Sequence, residues 1–117
     1  MLYYAAILNG ICAPFLSYIR ADIDPAQLLF MAEHGLKVVG FGIESGDENF
    51  RNEVLGKKLT DEDIKRTVKL LREFGIMYMP FYINNPPGGG ELHVRKTQEI
   101  MKAVGGWPIV WEYQNLS

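Results

Sequence analysis

The 117 residues suffice for one domain of modest size, and 48% hydrophobic and 22% charged residues are typical of a globular chain rather than a disordered one. The net charge is -2 and the basic residues are dispersed, which argues against a nucleic-acid or acidic-membrane partner bound through bulk electrostatics. The single cysteine, Cys12, excludes an internal disulfide and a cysteine-rich metal site built by this chain alone, and it predicts a reducing, cytoplasmic location.

The first two predicted elements are a short helix and a strand. The apolar stretch Leu2 to Ile11 favours a buried helix, and it is too short and too interrupted by Asn9 and Gly10 to span a bilayer. It also lacks the preceding basic residues of a signal peptide. The aromatic and β-branched residues of Phe15 to Arg20 then predict a strand.

The next three predicted elements are a helix, a strand and a second, shorter helix. Asp24 is a suitable N-cap and Pro25 suits the first helical position, while Gly35 is expected to end that helix. The continuous apolar run Lys37 to Ile43 indicates a strand buried on both sides, as in a parallel sheet. Asp47 to Leu55 is predicted to form the short helix.

The second half continues the same alternation. Thr60 with Asp63 is typical of a capping sequence, and it predicts a helix that ends at Gly75. The later elements are predicted as a strand at Ile76 to Ile83, a loop at Asn84 to Gly90, a helix at Glu91 to Val104 and a strand that begins at Ile109 to Trp111.

Strands that alternate with amphipathic helices predict the α/β class and a parallel sheet with right-handed crossovers. We expect a partial (β/α) barrel with about four parallel strands. No low-complexity segment or linker divides the chain, so residues 1–117 are predicted to form one domain.

Ligands of parallel βα folds bind at the carboxyl ends of the strands, and polar residues follow each predicted strand. Polar residues also end most strands simply because loops are solvated, so this observation alone does not distinguish a site. The polar residues concerned are Arg20 and Asp22, then Glu44, Ser45 and Asp47, then Asn84 and Asn85, then Glu112, Gln114 and Asn115.

The sharpest motif is Gly42-Ile43-Glu44-Ser45-Gly46. A carboxylate that ends an apolar strand can accept hydrogen bonds from ligand hydroxyls or from an ammonium group. The glycines would let a ligand approach the backbone, and strand alternation places Gly42 on the same face as Glu44. We therefore predict that Glu44 faces the open interior; the alternative is that it caps the next helix or pairs with Arg20.

The remaining candidates are weaker. The loop Pro86 to Gly90 could bind a phosphate, but it lacks the lysine and hydroxyl of a P-loop, and a plain loop is the simpler interpretation. His34 and His93 have no second ligand at metal spacing, so both are interpreted as surface or core histidines. Cys12 is interpreted as a small buried hydrophobe. We predict no catalytic residue and no metal ligand.

Three stretches together resemble the middle of a radical S-adenosylmethionine (radical SAM) core domain: Phe15 to Asp22, Val38 to Asp47 and Asn52 to Thr60. They are most similar to the branch whose members often carry a cobalamin-binding domain in front of the barrel. The resemblance covers the chain to about Gly90. It implies a partial barrel that binds S-adenosylmethionine and a [4Fe–4S] cluster, whose reduced form cleaves S-adenosylmethionine to a 5′-deoxyadenosyl radical.

The resemblance also implies site residues. Glu44 and Ser45 match the strand-end motif near bound S-adenosylmethionine, and Arg20 matches an arginine of the preceding strand. Asn84 is carried over as a fourth cofactor-binding residue, although the family's loop resembling GLPGE is altered from Asn84 to Glu91. Cobalamin would belong to a separate domain.

One departure from the family decides what the chain can do alone. The CxxxCxxC loop that holds the cluster is absent, so we expect a truncated part of an enzyme that is inactive by itself and binds no cluster. Two alternatives stay open: a non-catalytic module that binds a small ligand, and an oligomerising remnant of the barrel. The expected partner is the rest of the barrel, or a second copy paired through open sheet edges, and neither nucleic acid nor membrane.

Overall fold

The computed structural model describes residues 13–112, and within them it has four parallel strands in the order β1-β2-β3-β4. The predicted helix Leu2 to Ile11, together with Cys12, Gln114 and Asn115, lies outside the described residues. The strands are β1 (Phe15–Tyr18), β2 (Leu36–Glu44), β3 (Met77–Asn84) and β4 (Ile109–Glu112), and the helices are α1 (Pro25–Glu33), α2 (Asp61–Glu73) and α3 (Gly90–Val104), with a π-helical segment at Phe50–Val54.

Each strand pairs in parallel with the next, and a helical segment connects each pair. The predicted partial (β/α) barrel is therefore confirmed. Within the same range, no helix combines the length and the hydropathy that crossing a bilayer requires.

Helices α1 and α2 begin at the predicted N-cap residues, Asp24 and Thr60. The Asp24 carboxylate accepts the amide of Ala26 at 2.9 Å, directly before Pro25. The Thr60 hydroxyl accepts the amide of Asp63 at 3.1 Å, while the Asp63 carboxylate accepts the amide of Thr60 at 3.3 Å. This reciprocal capping box fixes the first turn of α2.

The helices cover one face of the sheet. Val39, Phe41 and Ile43 of β2 are at most 1% exposed and alternate with residues of the opposite face. They pack in one apolar core with side chains from all three helices, including Leu28, Met31, Ile64, Leu71 and Ile100. Burial of this face fixes which side chains point away from the helices.

An aromatic strip crosses the other, open face of the sheet. It consists of Tyr18, Phe81 and Trp111, with ring centroids 5.9 Å apart for the first pair and 6.4 Å for the second. Gly40 of β2 makes room for it, because a side-chain carbon at that position would come within 2.9 Å of Tyr18 and Phe81. Tyr18 and Trp111 remain 68% and 59% exposed.

The predicted helix Asp47 to Leu55 is present in an unusual form. The amide of Leu55 donates to the carbonyl of Phe50 at 3.1 Å, which is the spacing of a π-helix. The segment contains the completely buried Arg51, whose guanidinium bonds backbone carbonyls on both sides of it. A π-helical turn is wider than an α-helical one, and it accompanies this inward-pointing side chain.

Replacing Tyr82 with phenylalanine is expected to stabilise the fold by about 1 to 2 kcal/mol. Burial raises the pKa of Tyr82, and its hydroxyl is buried with no hydrogen-bond partner among the described residues. The Tyr78 hydroxyl is the matched control, since it donates to Val104 at 2.6 Å and accepts from Arg72 at 3.0 Å. Chemical denaturation should show a gain for Tyr82→Phe and a loss for Tyr78→Phe; equal losses would contradict the expectation.

Candidate ligand-binding site

The carboxyl ends of the strands bring polar side chains to one edge of the sheet. Glu44 ends β2, Asn84 ends β3 and Glu112 ends β4, while Arg20 follows β1. The amide group of Asn84 donates to Glu112 at 2.8 Å, so these two neighbours are joined. Ligands of parallel βα folds bind at this edge, which makes it the candidate site.

Glu44 lies on the open face, as predicted. A side-chain carbon at Gly42 would collide with the Glu44 carboxylate, which shows that the carboxylate lies over this glycine. The Lys57 ammonium is 3.7 Å from the carboxylate, and both side chains are about a quarter exposed, at 27% and 23%. The room over Gly42 that was expected to admit a ligand is therefore filled by this ion pair.

Arg20 reaches the same edge but does not pair with Glu44. Its guanidinium bonds both carboxylate oxygens of Asp22, at 3.0 and 3.3 Å, and donates to the carbonyl of Lys57 at 2.9 Å. The hydrogen bond from Arg20 holds the pKa of Asp22 below its usual value. Because Arg20 is 57% exposed, this ion pair contributes little stability. Lys57 is thus the residue that connects Arg20 to Glu44.

The backbone at Glu44 is strained. Its φ is 68°, and the amide of Ser45 donates to the carbonyl of Ile43 at 2.8 Å, which makes Glu44 the central residue of a γ-turn with positive φ. The β2–β3 register also shifts between Gly42 and Glu44. Such a conformation costs a non-glycine residue about 1 to 3 kcal/mol, so the surroundings must hold it in place.

The structure places Ser45 on the helix side of the sheet. Its side chain is completely buried, and its oxygen lies 2.6 Å from Nδ1 of His93 and 3.1 Å from the amide of Asp47. The other ring nitrogen of His93 lies 3.0 Å from the carbonyl of Ile83. Ser45 therefore connects β2 to α3, while Glu44 beside it in sequence faces the open side.

Gly46 is required by close packing. A side-chain carbon there would collide with the backbone of Lys96 and Thr97 in α3. The amide of Gly46 also donates to the Thr97 hydroxyl at 2.9 Å. The two glycines of the motif thus serve different contacts, Gly42 with the Glu44 carboxylate and Gly46 with a helix backbone.

Three residues that bond the predicted site residues are not themselves predicted as part of the site, and two of them are buried behind the edge. Lys57 is one of the dispersed basic residues of the sequence, His93 is interpreted as a surface or core histidine, and Arg51 carries no prediction. His93 is indeed a core residue, 2% exposed, and Arg51 is completely buried. In the sequence, no periodicity or spacing distinguishes these side chains from solvated ones.

The solved structures that match this fold include two of the same enzyme. A structure of the radical S-adenosylmethionine methyltransferase TsrM from Kitasatospora setae, with cobalamin and a [4Fe–4S] cluster bound, is similar with a TM-score of 0.73 and 23% sequence identity over 83% of this chain and 20% of that one. A second TsrM structure from this organism, with tryptophan substrate and the SAM analogue aza-SAM bound, has a TM-score of 0.70 and 23% identity over 83% and 19%.

The chain thus spans about a fifth of the length of these solved structures, and the likeness shows that it shares the fold of one part of them. No model of a protein family matches the sequence, and no curated protein matches it.

Proposed function

We propose that this chain forms part of the barrel wall of a radical S-adenosylmethionine enzyme and that Glu44 contacts the bound S-adenosylmethionine. The observation that carries the proposal is the position of the Glu44 carboxylate, on the open face at the carboxyl end of β2. The shared fold with TsrM, whose structures hold a cobalamin, a cluster and a SAM analogue, supports the same assignment.

The residues present do not fit the iron–sulfur cluster. A [4Fe–4S] cluster of this family needs three cysteine thiolates, and the sequence has one cysteine. Among residues 13–112, no three histidine, cysteine, aspartate or glutamate side chains are grouped to hold a metal ion. In this proposal the cluster ligands come from outside these 117 residues, cobalamin belongs to another domain, and the whole enzyme works in the reducing cytoplasm.

The residues at the strand ends do fit S-adenosylmethionine. That molecule carries ribose hydroxyls and an ammonium group, which donate hydrogen bonds, and the Glu44 carboxylate accepts them. The long 3.7 Å separation makes the Lys57–Glu44 ion pair a weak competitor for such a ligand. In this proposal Arg20 and Asn84 extend the polar edge on either side of Glu44, and Ser45 supports the turn from the helix side.

Replacing Glu44 with glutamine is expected to weaken S-adenosylmethionine binding by about tenfold or more, because hydrogen bonds to an ionised acceptor are lost. Binding would be measured by NMR titration of the chain with S-adenosylmethionine alone. Glu73→Gln is the matched control, since Glu73 is exposed at the end of α2. Equal affinities of the two variants would contradict the role of Glu44.

The aromatic strip supports a second part of the proposal, a partner that covers the open face. Within residues 13–112, β1 and β4 lie at the edges of the sheet, and the exposed aromatic side chains on its open face favour association, either with the rest of a barrel or with a second copy of this chain. Both partners would complete the wall that faces Glu44.

We expect the isolated chain to self-associate at low micromolar concentration, which sedimentation velocity would measure. Trp111→Gln should reduce association because it removes the end of the strip, whereas Trp107→Gln should leave it unchanged. Trp107 is a suitable control because it is 66% exposed and precedes β4. A monomer with a cooperative thermal transition would instead favour an independent binding module.

A further inference from the structure

We propose that His93 is a positioning residue for Glu44: by accepting the hydrogen bond of the Ser45 hydroxyl from its place in α3, it holds the γ-turn that presents the Glu44 carboxylate on the open face. The proposal rests on the assignment of Glu44 as the group that contacts S-adenosylmethionine. His93 itself touches no ligand, because it is 2% exposed and lies on the helix side of the sheet.

The hydrogen-bond partners determine which atoms donate. A backbone carbonyl only accepts, so the ring nitrogen 3.0 Å from the carbonyl of Ile83, Nε2, carries a hydrogen. The amide of Asp47 donates to the Ser45 oxygen, which leaves the Ser45 hydrogen free to be donated to Nδ1 of His93 at 2.6 Å. Each of these three hydrogen bonds has one donor and one acceptor when the ring hydrogen of His93 is on Nε2.

The two hydrogen bonds of the His93 ring join three elements on the helix side of the sheet, next to Glu44. His93 lies in the first turns of α3, Ile83 is near the end of β3, and Ser45 follows β2. The ring of Phe50 packs edge-on against the imidazole at 5.6 Å, and the amide of His93 donates to the carbonyl of Gly89. The imidazole is therefore held on several sides and can fix the position of Ser45.

The hydrogen bond between Ser45 and His93 matters because the turn at Glu44 is strained. With a φ of 68°, Glu44 would relax to an ordinary extended conformation unless the residue after it were fixed. Relaxation would carry the carboxylate off Gly42. Ser45 is the adjacent residue, and its side chain is bonded to His93 and to the amide of Asp47.

The Ser45–His93 pair is not a nucleophile with its base. Ser45 has no exposed surface, so no substrate can reach its hydroxyl. The far nitrogen of His93 bonds a carbonyl, where a catalytic triad would have a carboxylate. The pair therefore has a positional role.

Three substitutions at position 93 separate the two hydrogen bonds. His93→Asn keeps an acceptor close to the place of Nδ1 and so preserves the bond from Ser45. His93→Gln keeps a donor close to the place of Nε2, so it preserves the bond to Ile83 and loses the bond from Ser45. His93→Ala loses both. His34→Asn is the control, since the His34 ring bonds the carbonyl of Phe30 in the preceding helix α1, at 2.7 Å, and not the turn at Glu44.

Each variant of the full chain is examined by two measurements. The intraresidue NOE between the amide and Hα of Glu44 reports the sign of φ, and an NMR titration with S-adenosylmethionine reports affinity. We expect His93→Ala and His93→Gln to give a negative φ and about tenfold weaker binding. His93→Asn and His34→Asn should keep the positive φ and most of the affinity. In the unmodified chain, ¹⁵N shifts should show His93 protonated on Nε2.

The outcomes separate this inference from the proposed function. A positive φ at Glu44 in both His93→Ala and His93→Gln would overturn the positioning role, whatever the ligand affinity. Equal behaviour of His93→Asn and His93→Gln would also overturn it, since general destabilisation would affect both. If the unmodified chain shows no S-adenosylmethionine binding, the proposed function fails, while the φ measurement still decides whether His93 holds the turn. Should His93→Ala not fold, the asparagine and glutamine pair carries the test alone.

Discussion

Replacing Gly46 with alanine is expected to destabilise the chain by about 3 kcal/mol or more. The added carbon would overlap the carbonyl of Lys96 and the backbone of Thr97, and main-chain atoms inside α3 cannot move aside as a flexible side chain can. The helix would have to shift away from the end of β2. That shift would also break the hydrogen bond from the amide of Gly46 to Thr97.

Two comparisons isolate the steric cause in the Gly46 experiment. Gly75→Ala adds the same carbon where no atom lies within 4 Å, at a φ of 69°, so it should cost only the left-handed backbone penalty of about 1 kcal/mol. Thr97→Ala removes the hydrogen bond without any overlap and should cost about 1 kcal/mol. Urea denaturation would measure all three, and a Gly46→Ala loss no greater than that of Gly75→Ala would show that the helix yields easily.

The elements could be predicted from the sequence because their signals are local. Asp24 bonds the amide two residues later, and Thr60 exchanges hydrogen bonds with Asp63 three residues later, so a short window of sequence contains the whole interaction. The alternation of strands and helices then leaves a parallel sheet as the architecture. One boundary differs from the prediction: β1 ends at Tyr18 and not at Arg20, so Arg20 follows the strand by two residues.

The contacts of Ser45 and Gly46 could not be predicted, because the residues that they meet are distant in the sequence. Ser45 meets a histidine 48 residues later, and Gly46 meets a helix 50 residues later. Strand alternation predicts that Glu44 faces the open side, but before α3 is placed nothing in Gly42 to Gly46 indicates that Ser45 bonds a histidine. The positive φ of Glu44 depends on the same contacts.

Replacing Arg51 with methionine is expected to cost about 2 to 5 kcal/mol, because two buried carbonyls lose a charged donor, while Asp61, which is 39% exposed, stays solvated. The guanidinium has no exposed surface, and it donates to the carbonyl of Ser45 at 3.0 Å, to the carbonyl of Leu59 at 2.8 Å and to the carboxylate of Asp61 at 2.8 Å. Methionine has a similar length but no donor, so two buried carbonyls would lose their partner.

The stability of Arg51→Lys should lie between those of the native chain and Arg51→Met, because one ammonium cannot reach three acceptors arranged around a planar guanidinium. The matched control is Arg66→Met. Arg66 is 49% exposed and pairs with Asp63 at 3.4 Å, so its loss should cost less than about 0.5 kcal/mol. Thermal and urea denaturation would rank the four proteins, and a loss in Arg51→Met as small as in Arg66→Met would contradict the structural role of Arg51.

The Arg51 variants also test how the turn at Glu44 is held. Arg51 bonds the carbonyl of Ser45, whereas His93 bonds its side chain, so the two residues fix the same position by different atoms. If both are needed, Arg51→Lys should change the φ of Glu44 as well as the stability. A φ that stays positive in Arg51→Lys but reverses in His93→Gln would assign the turn to His93, and Arg51 would then serve to hold the segment between β2 and α2 against the core.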